Sequence, residues 1–77
     1  MDRKEVLAGL VASLDRKIKS LLIQSNLGLE TYQDLLAIDE DKARKVEDSI
    51  IELAAYIARL ERDRQTLSEM LLKEPRR

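Results

Sequence analysis

The stretch from Asp41 to Lys73 constrains the fold most, because its 33 residues contain no Gly or Pro and carry a regular apolar repeat. Large apolar side chains recur at alternating steps of four and three, with Arg64 in the middle of the single step of seven. They are Val46, Ile50, Leu53, Ile57, Leu60, Leu67 and Leu71. This spacing places them on one face of a helix that packs against another helix. The stretch therefore predicts a long amphipathic helix with coiled-coil-like packing.

Composition indicates the same fold class for the whole chain. Of its 77 residues, 44% are apolar and 38% are charged, and there are only two Gly and one Pro to form turns. Such a mixture is typical of long helices, and this length corresponds to one domain with a small core. We predict a single all-α domain over residues 1–77, with a flexible basic tail at 75–77.

Turn residues suggest where this chain folds back. Asp2 can cap a first helix, Glu5 can complete the capping box, and Met1 and Val6 occupy the positions of a hydrophobic staple. The segment 25–28 reads Ser-Asn-Leu-Gly, in which Asn and Gly both tolerate the left-handed conformation that ends helices. We therefore predict an antiparallel helical hairpin with helices at about 3–25 and about 31–73.

The acidic segment Asp39–Asp41 leaves two alternatives open. Asp39 or Asp41 could cap a new helix, which would give three helices in all. Alternatively the helix continues, because Glu40–Arg44 and Asp41–Lys45 are favourable acid-to-base pairs one turn apart. We favour the continuous helix because no Gly or Pro interrupts it.

A hairpin that closes at Gly28 has helices of unequal length, and this mismatch predicts a binding surface. The first helix covers the second only as far as about Glu52, so the apolar side chains beyond it have no cover from their own chain. The predicted partner-binding residues are Leu53, Ile57, Leu60, Arg64, Leu67, Met70 and Leu71. Arg64 either packs its stem while its guanidinium reaches water, which we favour, or sets the register with a partner. We expect a homo-oligomer or a complex with another protein.

The residue types argue against catalysis and cofactor binding. The chain has no His and no Cys, so the commonest metal ligands and general bases are missing, and its 15 carboxylates are best interpreted as solvated faces. We predict no enzyme activity, no catalytic residues, no cofactor and no metal site. The charge pattern argues against nucleic-acid binding, because the net charge is −1 and basic residues alternate with acidic ones. Apolar runs fall short of the roughly 20 residues of a membrane span, and the expected location is cytoplasmic.

Several motifs of the chain resemble those of a known class of proteins. The bend Leu27-Gly28-Leu29-Glu30, followed by Thr31-Tyr32-Gln33 and the Ala- and Ile-rich segment 50–57, resembles small co-chaperones of type III secretion needle subunits. The segment 32–42 is similar to the second helix of flagellar export chaperones. The resemblance covers about residues 5–60. It implies a non-enzymatic chaperone or co-chaperone that keeps an export substrate, or its main chaperone, soluble.

Three functional hypotheses follow from these observations. The first is this export-type chaperone or co-chaperone. The second is a self-associating coiled-coil module with a structural or regulatory role, and the third is a small nucleic-acid-binding hairpin dimer.

Overall fold

The computed structural model describes residues 2–75 and contains two helices of equal length in this range. Helix α1 spans Arg3–Leu36 and helix α2 spans Glu40–Lys73, each with 34 residues. They pack side by side as an antiparallel hairpin that measures 60 × 15 × 14 Å. The prediction of an all-α helical hairpin is confirmed.

Aspartates begin both helices. The side chain of Asp2 accepts a hydrogen bond from the backbone N–H of Glu5 at 2.8 Å, and Asp39 accepts one from Lys42 at 3.2 Å. Each carboxylate satisfies an amide that has no partner within its helix. The predicted start of α1 at Asp2 is therefore correct, while the Met1 side of the staple and the tail residues 76 and 77 lie outside the described residues.

The fold-back lies at residues 37–39, and the predicted bend at 25–28 is wrong. The carbonyl of Leu35 accepts backbone N–H bonds from Ile38 at 3.0 Å and from Asp39 at 2.7 Å, which closes α1. Asp39, with extended backbone, then starts α2. The break at 39–41 that the sequence left open is thus real, and the continuous helix that we favoured there is not. It yields two helices and not three, because α1 runs through Gly28 without interruption.

Gly28 supports close packing between the helices and is not a turn residue. Neither Gly9 nor Gly28 has a positive φ. A Cβ built on Gly28 would lie 3.2 Å from Cγ1 of Ile50, so a larger residue would push the helices apart there. Ser25 and Gly28 continue the four-and-three spacing of the apolar residues of α1. They are small residues of an uninterrupted helix-packing seam.

The seam extends along the whole hairpin. On α1 it consists of Leu7, Val11, Leu14, Ile18, Leu21, Ser25, Gly28, Tyr32 and Leu35, all buried or half-buried. On α2 it consists of Ala43, Val46, Ile50, Leu53, Ile57, Leu60, Arg64, Leu67 and Leu71, again all buried or half-buried. The steps alternate between four and three throughout, as in coiled coils.

The register between the helices is constant. Arg3 pairs with Glu74 at 2.6 Å at the open end, and Gly28 meets Ile50 near the turn. These contacts are 25 residues apart on α1 and 24 apart on α2. The most buried part of the core lies between them, where Ile18 packs with Ile57 and Leu60.

The helix covering Leu53–Leu71 is therefore α1 of the same chain. The sequence argument for an uncovered overhang is wrong, since it depended on a first helix that ended near residue 25. Ile57 and Leu60, expected to face a partner, are only 6% and 8% exposed within the single chain.

Two glycine substitutions test the packing described for α1. Gly9→Ala should raise the free energy of unfolding by about 0.5–1 kcal/mol, because Gly is a poor helix former and no atom would crowd the added Cβ. Gly28→Ala should stabilise less, because the same helix gain is opposed by the contact with Ile50. Urea unfolding followed by circular dichroism measures both. An equal gain at the two sites would contradict the close approach at Gly28.

A second test shows whether Ile57 and Leu60 belong to the core of the hairpin or to an external contact. Replacing both by Asp should unfold the hairpin. Each buried unpaired charge costs several kcal/mol, and the free energy of unfolding of a small domain is only about 5 kcal/mol. The control changes Ala55 and Arg62, both exposed on α2, to Asp and should stay folded. A double variant at 57 and 60 that keeps its full helical signal would show that these side chains are not the core.

Candidate protein-binding face

The seven predicted partner-binding residues belong to the interior of the hairpin or to its edges. Ile57 and Leu60 are buried, and Leu53 packs against the cluster that they form with Ile18. The remaining four, Arg64, Leu67, Met70 and Leu71, are half-buried. Within one chain they form no open surface, so a binding face has to be looked for elsewhere.

Arg64 pairs with a carboxylate of the opposite helix. Its Nε donates a hydrogen bond to one oxygen of Asp15, and its Nη2 lies 3.5 Å from the other oxygen. The two side chains are 41% and 43% exposed, so solvent screens the pair and its net contribution is about 0–1 kcal/mol. The stem packs in the seam and the guanidinium lies at its edge, in a pairing that neither interpretation of the sequence included. The guanidinium contacts Asp15 of its own chain.

Two sides of the seam can be distinguished by the residues that bridge it. On one side Asp15 of α1 reaches Arg64, and Glu47 of α2 interacts with Tyr32 of α1. Hydrogen bonding and the charge of Glu47 raise the pKa of Tyr32 above its ordinary value. On the other side, Nζ of Lys17 lies 5.4 Å from the centre of the Tyr56 ring. We call the first side the front face and the second the back face.

The front face carries a group of exposed apolar side chains. Positions seven residues apart lie above one another along a coiled-coil helix, so Leu22, Leu29 and Leu36 continue the line that starts at Asp15. On α2, Ala54 continues the line that starts at Glu47, and Ile51 and Ala58 flank it one turn away. We call these six residues the apolar patch: Leu22, Leu29, Leu36, Ile51, Ala54 and Ala58.

Exposure separates this patch from the core. Leu22, Leu29 and Leu36 are 45%, 44% and 48% exposed, and Ile51 is 59% exposed. Covering the exposed half of four such side chains would contribute about 3–6 kcal/mol, at roughly 1.5–3 kcal/mol for each full burial. Other exposed apolar residues, such as Ile23, Leu27 and Leu72, lie on the outer surface of α1 or near the open end. Within residues 2–75, the patch is where four large exposed apolar side chains lie together on both helices.

The sequence contained the signal for the patch, but the predicted bend concealed it. Leu22, Leu29 and Leu36 are spaced by seven residues immediately after the seam positions Leu21, Gly28 and Leu35. A bend at Gly28 assigns Leu22 and Leu29 to different helices, and the line is then lost. An uninterrupted α1 restores it.

Arrangements of side chains that could bind a metal or a small ligand are sparse in the part of the chain that the structure describes. Residues 2–75 contain no group of three or more His, Cys, Asp or Glu side chains placed to hold a metal ion. A shallow surface depression near the middle of α2 is lined by Glu52, Ala55, Tyr56, Arg59 and Arg62. Over residues 2–75, neither helix is long and apolar enough to cross a membrane.

Charge is distributed unevenly along the hairpin. Residues 30–52, which surround the turn, contain eight acidic and three basic residues, a net charge of −5. Nearer the open end, residues 15–19 and 59–64 contain six basic and three acidic residues, a net charge of +3. We call this second region the basic band. The apolar patch lies between the two regions and overlaps the acidic one.

Replacing Arg64 by Leu tests the role of the one charged seam residue. We expect the free energy of unfolding to rise by about 1 kcal/mol or more, because an apolar side chain fills the seam and the exposed ion pair contributes little. Asp15→Asn should lower it by less than about 1 kcal/mol. Thermal and urea unfolding measure both variants. Destabilisation by Arg64→Leu would show that the pair with Asp15 is worth more than its exposure implies.

Comparison with known proteins finds no family model, no curated protein and no solved structure that matches this chain. The function therefore has to be inferred from the chemistry of the hairpin itself. Its most distinctive feature is the apolar patch on the front face.

Proposed function

We propose that this chain is a non-enzymatic protein-binding hairpin that acts through its apolar patch. The single observation that carries this proposal is the exposure of Leu22, Leu29, Leu36 and Ile51 together on the front face. A protein surface supplies what such a patch lacks, which is a complementary apolar layer. Binding through two parallel rows of side chains on adjacent helices is typical of helix-to-helix recognition.

The residues around the patch suit an interface. Asn26 and Gln33 lie beside the three leucines on α1 and can form hydrogen bonds without the desolvation cost of a charge. Glu40 and Arg44 at its turn end are already paired with each other at 3.0 Å. This part of the border resembles the rim of protein interfaces, while Glu47 and Glu61 add charges on the α2 side.

The absence of enzyme activity remains a prediction from residue types. It rests on the lack of His and Cys in the sequence. The export-chaperone hypothesis also remains a prediction. The segment Leu27–Glu30, which the resemblance interpreted as a bend, lies inside α1, so the fold adds no support to that hypothesis. A cytoplasmic location likewise stays a prediction.

Self-association is the second candidate, and the charge distribution favours it. An acidic turn region and a basic band within one short rod make the surface complementary to another copy of itself. Nucleic-acid binding gains no comparable support, because the basic band also contains Asp15, Glu61 and Asp63.

A charge-insertion pair tests the proposed function in cells of the native host. Leu29→Glu with Ile51→Glu should remove the proteins that the tagged wild-type chain retains after cross-linking, because the two carboxylates cannot be buried unpaired. The measurement is quantitative mass spectrometry of the retained proteins, in which another copy of the chain counts as a partner.

The matched control is Ile23→Glu with Leu27→Glu. It adds the same two charges to the same two residue types, at positions 62% and 57% exposed outside the patch. The control should retain the partners of the wild type. If the patch variant also retains them while both variants stay helical, the apolar patch is not the binding site.

A further inference from the structure

We infer that the apolar patch is covered by a second copy of this chain, packed front to front and antiparallel, so that two hairpins form a four-helix bundle. This inference rests on the proposed function and names its partner. It is drawn from three observations: the surface area of the single hairpin, the position of the patch and the charges on either side of it.

The accessible surface shows how much cover the single hairpin lacks. The chain exposes 6189 Å². A compact monomer of 8.9 kDa exposes about 4,800 Å² by the usual scaling of surface with mass. The excess, on the order of 1,400 Å², exceeds the roughly 800 Å² that each partner buries in a standard interface. A second hairpin laid along the front face would cover part of this excess.

The patch determines where the two copies overlap. The centre of the whole patch, averaged over both helices, lies at the level of Asn26 on α1, between Leu22 and Leu29. The turn at residues 37–39 is about 13 residues from that centre, or about 20 Å along the helix. In a symmetric antiparallel pair, the turn of one hairpin therefore lies the same distance beyond the centre on the other, near Ser13 and Arg16.

This overlap places regions of opposite net charge at the same level along the two rods. The turn carries Asp39, Glu40 and Asp41, and the basic band of the other copy begins at the level where this turn lies. The net −5 region of each hairpin thus lies at the same level as the net +3 region of its partner, twice in the dimer; within the band, Asp15 faces the front and Lys17 the back. A parallel pair would instead place the two net −5 regions side by side. The attraction between these regions therefore favours the antiparallel arrangement.

Symmetry then specifies which residues meet. An antiparallel pair related by a two-fold axis across the rods sets α1 against α1 of the other copy, with Leu22 opposite Leu29 and Asn26 opposite Asn26. On α2, Ile51 lies opposite Ala54, a large side chain against a small one. Leu72, on the same front face but near the open end, lies beyond the overlap.

Sedimentation equilibrium of the full chain at micromolar concentration tests the inference. The wild type should have about twice the 8.9 kDa mass of one chain. Leu29→Glu with Ile51→Glu should raise the dimer dissociation constant at least about 100-fold, because two charges on each copy lose their water. Leu72→Glu should change it by less than about threefold, although that side chain is 85% exposed on the same face. Circular dichroism confirms that the variants stay helical.

Thiol cross-linking tests the orientation, since the chain has no Cys of its own. Asn26→Cys should form covalent dimers with a short bifunctional maleimide, because the two copies of this residue meet at the axis. Gln33→Cys lies one heptad away on the same face. Its two copies should be about 21 Å apart and should not cross-link. Equally efficient cross-linking at both positions would overturn the antiparallel arrangement.

The outcomes separate this inference from the proposed function. If the wild type is monomeric but the patch variant still loses a different protein in cells, self-association is overturned and the binding function stands. A dimer that the patch variant does not weaken places the interface elsewhere and overturns the inference. If the wild type is monomeric and the patch variant loses no partner in cells, both self-association and the proposed binding function are overturned.

Discussion

The continuous seam between two helices of equal length is the constraint on which the rest of the structure depends. Its four-and-three spacing runs from Leu7 to Leu35 on α1 and returns from Ala43 to Leu71 on α2. Because the register stays constant, each helix covers the whole seam of the other. A rod built in this way has no second layer, and every residue just outside the seam is at least partly in contact with solvent. The apolar patch is therefore a direct product of the two-helix architecture, because no other part of residues 2–75 covers Leu22 or Leu29.

The fold class could be predicted from the sequence, and the position of the turn could not. The apolar repeat of Asp41–Lys73 and the scarcity of Gly and Pro were sufficient for an all-α hairpin. Gly28 was misleading because glycine has two physical uses: it permits a left-handed turn, and it permits close approach between helices. Local sequence favours the first use at Ser25–Gly28. Only the seam, read across both helices, identifies the second, because Ile50 lies opposite and fills the space.

The binding surface was mispredicted for the same reason. Moving the fold-back from Gly28 to Ala37–Asp39 lengthens α1 by about three helical turns. The added length covers the side chains of Leu53–Leu71 that were predicted to lack cover. The same shift leaves a different set of apolar side chains exposed, at positions one residue after those of the seam, such as Leu22 and Leu29. Apolar residues in a long helix are thus ambiguous until the length of their partner helix is known. The chemical conclusions were less sensitive to this error, because they depend on which residue types the chain contains and not on where it folds.

The small seam residues Ser25 and Gly28 have a further consequence for recognition. They lie directly beneath the patch, between the levels of Leu22 and Leu29, and they let the two helices approach each other there. The distance between the rows of patch residues on α1 and α2 is consequently set from inside the seam. A larger side chain at either position would spread the rows and alter the shape that a partner meets, without touching that partner. Positions hidden from any ligand can therefore tune its affinity, and a scan limited to the surface would overlook them.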